Sequence, residues 1–307
     1  MPAPMTPVDV RPFGLTDVRW NEPMAPYTTW RIGGPADVMV VPHNLEELRG
    51  AMRFAKAHGL PWTVIGRGSN VLVQDGGIRG MVIWMHDQFA EVRVEDGLLR
   101  AQAGRSFVSA AHIAIRHNLS GLEFATGIPG SVGGAVMMNA GAHGGEVKDV
   151  LAWADVMDED GRLTRLSNRD LQFSYRYSCL KDAPKVVVEA AFALSPGDGQ
   201  EMVRRVRQWS LRRSSTQPLS LPSCGSVFRN PPGTHAARLI EAAGLKGLRR
   251  GMAQISEKHA NFIVNLGGAR AEDVLWLIRH AQETVQKQFH VTLETEVRIL
   301  GDTASGR

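Results

Sequence analysis

Residues 121–145, GLEFATGIPGSVGGAVMMNAGAHGG, contain a run of glycines separated mainly by small residues. Loops with so few side chains let the backbone approach a ligand closely, since glycine reaches positive φ without steric cost. Their consecutive N–H groups can form a nest for phosphate oxygens, although the composition also fits tight turns between buried strands. Three apolar residues, Ile128, Val132 and Val136, favour a ligand-covering loop because an ordinary surface loop has little need of them.

A second, shorter glycine turn precedes this stretch in the chain. Residues 62–65 predict an apolar strand that ends in GRGSN at residues 66–70, and another strand follows at 71–73. The GxGxxG that opens a helix in a Rossmann unit is missing, and so is GxxxxGK[ST]. Alone, GRGSN is more typical of a hairpin turn. Together with residues 127–145, it predicts two loops that hold a pyrophosphate without a helix dipole.

Composition limits the class of protein. The chain has 307 residues and is 43% hydrophobic, which is enough for two domains with their own cores. The net charge of +4 is spread along the chain apart from a basic cluster at 204–213, so no nucleic-acid-binding stripe is expected. The two cysteines, Cys179 and Cys224, lie in no CxxC motif and HExxH is absent, so we expect neither a disulfide framework nor a metal site.

The sequence also carries expectations about location. The first twenty residues hold four prolines and no continuous apolar core, which argues against a signal peptide. No run of about eighteen apolar residues is found, so we expect no membrane span. We therefore expect a soluble cytoplasmic protein.

The order of the predicted elements indicates an α+β fold. The expected divisions are an N-terminal arm at 1–24, a first domain at 25–196, a second, smaller domain at 197–302, and a tail at 303–307. A basic helix at 198–213 and a Ser/Pro-rich link are expected to open the second domain. The last strand is predicted at 291–300, where alternation places Glu294 and Glu296 on one face.

Four candidate sites can be compared on local sequence alone. Arg176 lies between two tyrosines in FSYRYS, which favours a half-exposed strand arginine, and Ser226 lacks the GxSxG elbow of a hydrolase, which favours a buried hydrogen-bonding serine. Glu294 and Glu296 fit a solvated strand face. His259 in EKHANF fits either a ligand or a capping histidine. Spacing alone therefore yields no mechanism.

Seven segments together resemble one enzyme family. They are, in the family's order, TTWRIGGPADV, VIGRGSNVLV, GLEFATGIPGSVGGAVMMNAGA, FSYRYS, CGSVFRNP, EKHANFIVN and LETEVRILG, and they cover the chain from about residue 27 to residue 301. The combination is similar to UDP-N-acetylenolpyruvoylglucosamine reductases (MurB). The resemblance implies a vanillyl-alcohol-oxidase-type FAD-binding domain followed by a smaller α+β substrate-binding domain. It also implies NADPH-dependent reduction of UDP-N-acetylenolpyruvoylglucosamine to UDP-N-acetylmuramate, a step of peptidoglycan precursor synthesis.

The resemblance also implies roles for residues at matching motif positions. Arg176 and Glu296 would stabilise charge on the substrate carboxylate, and Ser226 would donate a proton to C2. Tyr175, Arg229 and Asn230 would bind the substrate. The positions that would bind FAD are Gly66, Gly68, Ser69, Asn70, Val71, Leu72, Gly127, Gly130, Ser131, Gly133, Gly134, Asn139 and Gly141.

Two departures from the family pattern stand out. Arg229 occupies a position where many members have lysine, which keeps the charge and changes its geometry. The stretch before Cys224 is too short for the extra substrate-covering tyrosine loop of one subgroup, so the chain resembles the subgroup without it. Two alternatives remain at this stage, an FAD-dependent sugar or alcohol oxidase of the same fold, and a non-catalytic nucleotide-binding module. Neither gives Ser226 and Glu296 a catalytic role.

Overall fold

The computed structural model describes residues 6–304, which form mixed helices and strands. The helices are α1 Leu45–Ala57, α2 Phe107–Arg116, α3 Val132–Met137, α4 Val147–Val150, α5 Gly199–Thr216, α6 Ala236–Ala242 and α7 Ala271–Phe289. The strands are β1 Val18–Pro23, β2 Pro35–Val40, β3 Trp62–Ile65, β4 Val71–Val73, β5 Ile78–Trp84, β6 Val92–Glu95, β7 Leu98–Gln102, β8 Leu119–Ser120, β9 Gly141–Ala142, β10 Gly145–Glu146, β11 Leu151–Met157, β12 Leu163–Ser167, β13 Val186–Ala193, β14 Ser195–Pro196, β15 Arg249–Arg250, β16 Ala253–Ile255, β17 Ile263–Asn265 and β18 Arg298–Leu300.

The first part of the chain contains two larger sheets. One has the order β1-β2-β5-β3, with β5 parallel to both β2 and β3. The other has the order β12-β11-β13-β7-β6 and is antiparallel throughout. One core cluster joins residues of both sheets to α1 and α2, and Phe54, Phe107 and Phe192 are fully buried in it. Burial of large aromatic rings of this kind contributes strongly to the stability of a core.

In the second part, α7 packs on a small antiparallel sheet of β15, β16 and β17, and α6 packs against α7. The apolar face of α7 contributes Val274, Ile278, Ala281 and Val285 to the core there, as its helical spacing predicts. Trp30, from the first part of the chain, is completely buried in the same core. Its Nε1 donates to the Ile263 carbonyl at 2.7 Å, which ties the two parts together.

Three expectations from the sequence are corrected by the structure. The expected arm contains β1, which pairs along β2. The loop expected to lack a helix contains α3, whose N-cap Ser131 accepts from the Gly134 N–H at 3.3 Å. The prediction of one long last strand at 291–300 is wrong. Only β18 is a strand there, paired in parallel with β4, and Thr295 forms an isolated bridge with Phe228.

The basic helix predicted before the link is α5. It contacts α2 and the short helix Glu123–Gly127, both in the first part of the chain. The division at residues 196 and 197 stays a prediction. Among the helices within residues 6–304, none combines the length and apolar character needed to cross a bilayer.

Candidate active site

A cavity of about 680 Å³ lies where the two glycine-rich loops meet the second part of the chain. That volume is within the range of about 300–1,000 Å³ that is usual for small-molecule sites. The loops touch each other, because a Cβ on Gly66 would lie only 2.1 Å from Ser131 Oγ. A side chain at Gly66 would therefore force the loops apart. Arg176, Ser226 and Glu296 line the same cavity.

The first loop, residues 66–70, lines the cavity and contributes a row of backbone N–H donors. Within residues 6–304, the N–H groups of residues 66–70 donate to no protein acceptor. The loop carbonyls are engaged elsewhere, since Gly66 O accepts from Trp84 Nε1 at 3.1 Å and Gly68 O accepts from the Thr29 N–H at 3.1 Å. Gly68 has φ +60°, and a Cβ there would meet the Tyr27 carbonyl oxygen at 2.0 Å. A backbone nest of this kind fits the oxygens of a diphosphate.

Arg176 lies in a tight turn rather than in the expected strand. Ser174 and Tyr177 exchange two backbone hydrogen bonds, both of 3.1 Å, around Tyr175 and Arg176. Arg176 has φ +57°, a conformation that non-glycine residues rarely adopt and that is concentrated at functional sites. The guanidinium Nε donates to Glu296 Oε1 at 2.8 Å, and Nη2 donates to the Gly141 carbonyl at 3.1 Å. The turn thus directs Arg176 into the cavity.

Two buried side chains link this turn to the second loop, residues 127–145. Asn139, which is fully buried, donates through Nδ2 to the Ser174 carbonyl at 3.0 Å. Ser178, also fully buried, donates through Oγ to the Met137 carbonyl at 2.7 Å. The position of Arg176 is therefore coupled to the end of α3.

Glu296 is largely buried beside Arg176. Its side chain is 16% exposed and that of Arg176 is 20% exposed. Burial raises the pKa of Glu296 above its usual range, although Arg176, Arg229 and Lys181 all oppose that shift. Asn70 of the first loop donates to the Glu296 carbonyl at 3.2 Å, which fixes the backbone. Burial therefore favours the protonated carboxyl, whereas the three neighbouring cations favour the charged form.

Ser226 is brought close to this pair by the residues that follow it in the chain. Val227 O accepts from the Glu296 N–H at 2.8 Å, and the Arg229 N–H donates to the Glu294 carbonyl at 2.9 Å. The two segments thus run side by side, and Ser226 is half-buried in the cavity wall. Cys224 is buried nearby, and burial raises the pKa of its thiol. A thiol in that state is a poor nucleophile.

Most of the residues predicted for the site line the cavity, and three do not. The cavity wall includes Gly66, Gly68, Ser69, Asn70, Val71, Gly127, Gly130, Ser131, Gly133, Gly134, Gly141, Tyr175 and Asn230. Leu72 is fully buried in the second core, and the amide of Asn139 is used within the protein. Arg229 lies outside the wall, with Nη1 3.8 Å from Glu294 Oε2.

Several polar residues of the cavity wall were not predicted from the sequence, and three of them have side chains suited to binding a ligand. Arg213, Asn261 and Arg298 line the cavity, and no local motif distinguishes them from surface residues. Asn261 brackets Phe228, accepting from its N–H at 2.9 Å and donating to its carbonyl at 2.8 Å. Asn261 does lie in EKHANFIVN, one of the seven segments that carry the resemblance, but the resemblance assigns it no role.

Two histidines, His259 in EKHANF and His143 in the second loop, each pack against an aromatic ring. His259 Nδ1 accepts from the Asn261 N–H at 3.3 Å, and its ring packs against Phe262. His143 stacks flat on Trp209, with ring centroids 4.4 Å apart. Neither ring is part of the cavity wall. Covalent flavin attachment at His143, as an oxidase of this fold would use, therefore finds no support.

Comparison with known proteins identifies both parts of the chain. The model of the FAD binding domain family matches residues 36–167, and that of the UDP-N-acetylenolpyruvoylglucosamine reductase C-terminal domain matches residues 217–300. The expected order of an FAD-binding domain and a second, smaller α+β domain is confirmed.

Full-length relatives agree with these matches. Two proteins named UDP-N-acetylenolpyruvoylglucosamine reductase are each 47% identical. The one from Halalkalibacterium halodurans covers 95% of this chain and 97% of its own, and the one from Rubrobacter xylanophilus covers 92% and 95%. The crystal structure of the Thermus caldophilus enzyme (MurB) superposes with a TM-score of 0.79 at 38% identity, covering 93% of this chain and 98% of its own. The chain therefore belongs to the UDP-N-acetylenolpyruvoylglucosamine reductase family.

Proposed function

We propose that this chain uses FAD and NADPH to reduce UDP-N-acetylenolpyruvoylglucosamine to UDP-N-acetylmuramate. The observation that carries the proposal is the Arg176–Glu296 pair, which shares one cavity with Ser226 and with the diphosphate-sized nest of residues 66–70. A binding module would have no use for a strained, ion-paired arginine beside a serine. The finer assignments to peptidoglycan synthesis and to the cytoplasm follow from this reaction and stay predictions.

The residues present fit FAD. Five unpartnered N–H groups can hold the pyrophosphate, and the loops carry no side chain where the backbone must come close. When bound, FAD supplies the hydride that it takes from NADPH. The protein's own part is to hold the enolpyruvyl group in the cavity and to stabilise the charge that develops on it.

Arg176 and Glu296 are proposed to stabilise that charge. A substrate carboxylate placed at Arg176 competes with Glu296 for the guanidinium. Because Arg176 is the largest influence that lowers the pKa of Glu296, this competition leaves burial dominant and favours the protonated carboxyl. A protonated Glu296 can donate a hydrogen bond to the substrate carboxylate as negative charge spreads over it from C2.

Ser226 is proposed to donate a proton to C2. The place of Ser226 in the cavity wall, on the segment whose Val227 carbonyl accepts from the Glu296 N–H, supports this role. Tyr175 and Asn230, which also line the wall, are proposed to bind the substrate. Arg229 would then act through its charge rather than by direct contact.

Purified protein tests this proposal directly. We expect a flavin absorption spectrum, FAD released on denaturation, and anaerobic bleaching of the bound flavin by NADPH. An oxidase would instead be reduced by a sugar or an alcohol and reoxidised rapidly by oxygen. Protein that folds without flavin and ignores NADPH would refute the proposal and favour a binding module.

A further inference from the structure

Arg213, in the last turn of α5, has a guanidinium group that the protein leaves largely unpartnered. Its Nε donates to Gln217 Oε1 at 2.9 Å, while in residues 6–304 neither Nη group forms an ion pair with a carboxylate. The side chain is half-buried and lines the cavity. Burial lowers the pKa of Arg213 below its usual range, and no nearby carboxylate opposes the effect. A partly desolvated cation of this kind is costly unless an anion accompanies it.

Other arginines of the same helix have different surroundings. Arg205 pairs with Glu201 at 3.1 Å and with Glu123 at 3.5 Å. Arg212, the adjacent residue, is exposed and is not part of the cavity wall. The positive charge of α5 is therefore not a uniform solvated face, since one member of the cluster is turned towards the cavity.

Arg213 also lies close to the second glycine-rich loop. Arg213 follows Trp209 by four residues and therefore lies on the same face of α5, and the Trp209 ring stacks flat on His143 of this loop with ring centroids 4.4 Å apart. The His143 Nε2 is only 3.1 Å from the position that a Cβ on Gly127 would occupy. Arg213, which lines the cavity, thus lies on the side of α5 that faces this loop.

We propose that Arg213 binds a phosphate group of a nucleotide held in the cavity. Because Nε is engaged by Gln217, the two Nη groups remain to donate to phosphate oxygens, which match the planar geometry of a guanidinium. The inference rests on the proposed function, which brings FAD, NADPH and a UDP-sugar to this site, each with a diphosphate. The three sources share one chemistry and are separated by experiment.

The test compares Arg213→Gln and Arg213→Lys with Arg212→Gln as the matched control. Three quantities are measured for each variant: FAD affinity, by titrating flavin-free protein and following flavin fluorescence; KM for NADPH; and KM for the UDP-sugar. In Arg213→Gln we expect one of them to weaken at least about tenfold, because a charge-assisted hydrogen bond is lost. Arg213→Lys should weaken the same quantity less, since the charge remains. The affected quantity names the source of the phosphate.

The proposal is overturned if all three quantities in Arg213→Gln stay within about twofold of those in Arg212→Gln. If Arg213→Gln does not fold, Arg213→Lys decides, because the loss of the paired geometry should still weaken one quantity by about threefold or more. No change in the folded lysine variant would equally refute it. Wild-type protein that lacks reductase activity would refute the proposed function, whereas the FAD titration would still report on Arg213.

Discussion

Replacement of Glu296 by glutamine is the perturbation that examines the site most closely. The change keeps the size of the side chain and removes its charge and its titratable proton. At 2.8 Å and an effective dielectric constant of about 20, the attraction between Arg176 and Glu296 is about 6 kcal/mol before desolvation is subtracted. Burial, which raises the pKa of Glu296, offsets much of that attraction.

The catalytic share of the pair is smaller than this gross figure. A donor that stabilises the developing charge contributes about 10²–10³ in rate, and each 1.36 kcal/mol is about tenfold. We expect kcat to fall about 10²-fold or more in Glu296→Gln while KM changes little, because the interaction strengthens only as charge builds on the substrate. Glu296→Ala should lose more, since it also removes the hydrogen-bonding group.

Anaerobic stopped-flow measurement of the two half-reactions is the assay. Flavin reduction by NADPH should keep its rate in Glu296→Gln, and reoxidation by the UDP-sugar should slow. Glu294→Gln is the matched control, since that side chain is 72% exposed and its closest cation atom, Arg229 Nη1, is 3.8 Å away. A Glu294 variant crippled in reoxidation, beside a Glu296 variant of normal rate, would refute the reasoning.

Three further predictions concern the same region. Ser226→Ala should leave flavin reduction intact and slow reoxidation about 10²–10⁴-fold in stopped-flow traces. Ser223 also lines the cavity, and Ser223→Ala should behave as wild type. Equal slowing of both half-reactions in Ser226→Ala would mean that Ser226 positions a ligand instead. Asn139→Ala should lower the free energy of unfolding by about 2–4 kcal/mol in denaturant titrations, because buried partners such as the Ser174 carbonyl lose their hydrogen bonds. It should also lower kcat. A change in the free energy of unfolding of less than about 0.5 kcal/mol would contradict this prediction. Because burial raises the pKa of Glu296, the folded protein binds this proton more tightly than the unfolded protein does. The stability that the proton contributes is therefore present at low pH and is lost as pH rises from the unfolded pKa through the folded pKa. The unfolding midpoints of wild type and Glu296→Gln should diverge across that pH window, and parallel profiles would count against the shift.

The sequence predicted which loops meet, but not all of their local structure. GRGSN and the long glycine stretch do line one cavity, because both have short side chains where the backbones approach. Helix α3 was missed because Gly133 and Gly134 have low helix propensity; in the structure the Ser131 cap and contacts with Ala103 support it. Tertiary contacts outweighed propensity here.

Residues that act across long sequence separations were harder to predict. Alternation predicts Glu294 and Glu296 on one strand face. In the structure this stretch is not a regular strand, because the Glu296 backbone is hydrogen-bonded to Val227 and to the Asn70 side chain. The Glu296 side chain is therefore largely buried, whereas that of Glu294 is 72% exposed. The resemblance implies that Asn139 binds FAD. No local pattern in the sequence shows that its side-chain amide donates to the Ser174 carbonyl instead. Arg213 belongs to the basic cluster at 204–213, and helical spacing alone does not reveal which arginine of that cluster lines a cavity.

Anaerobic reoxidation of the reduced flavin by the UDP-sugar tests the central claim most directly. The bound flavin is first reduced with one equivalent of NADPH, and UDP-N-acetylenolpyruvoylglucosamine is then added without oxygen. We predict that the oxidised flavin spectrum returns as about one equivalent of UDP-N-acetylmuramate forms, since the electrons held by the flavin have no other acceptor. Flavin that stays reduced in the presence of the sugar, and is reoxidised only when oxygen is admitted, would contradict the account.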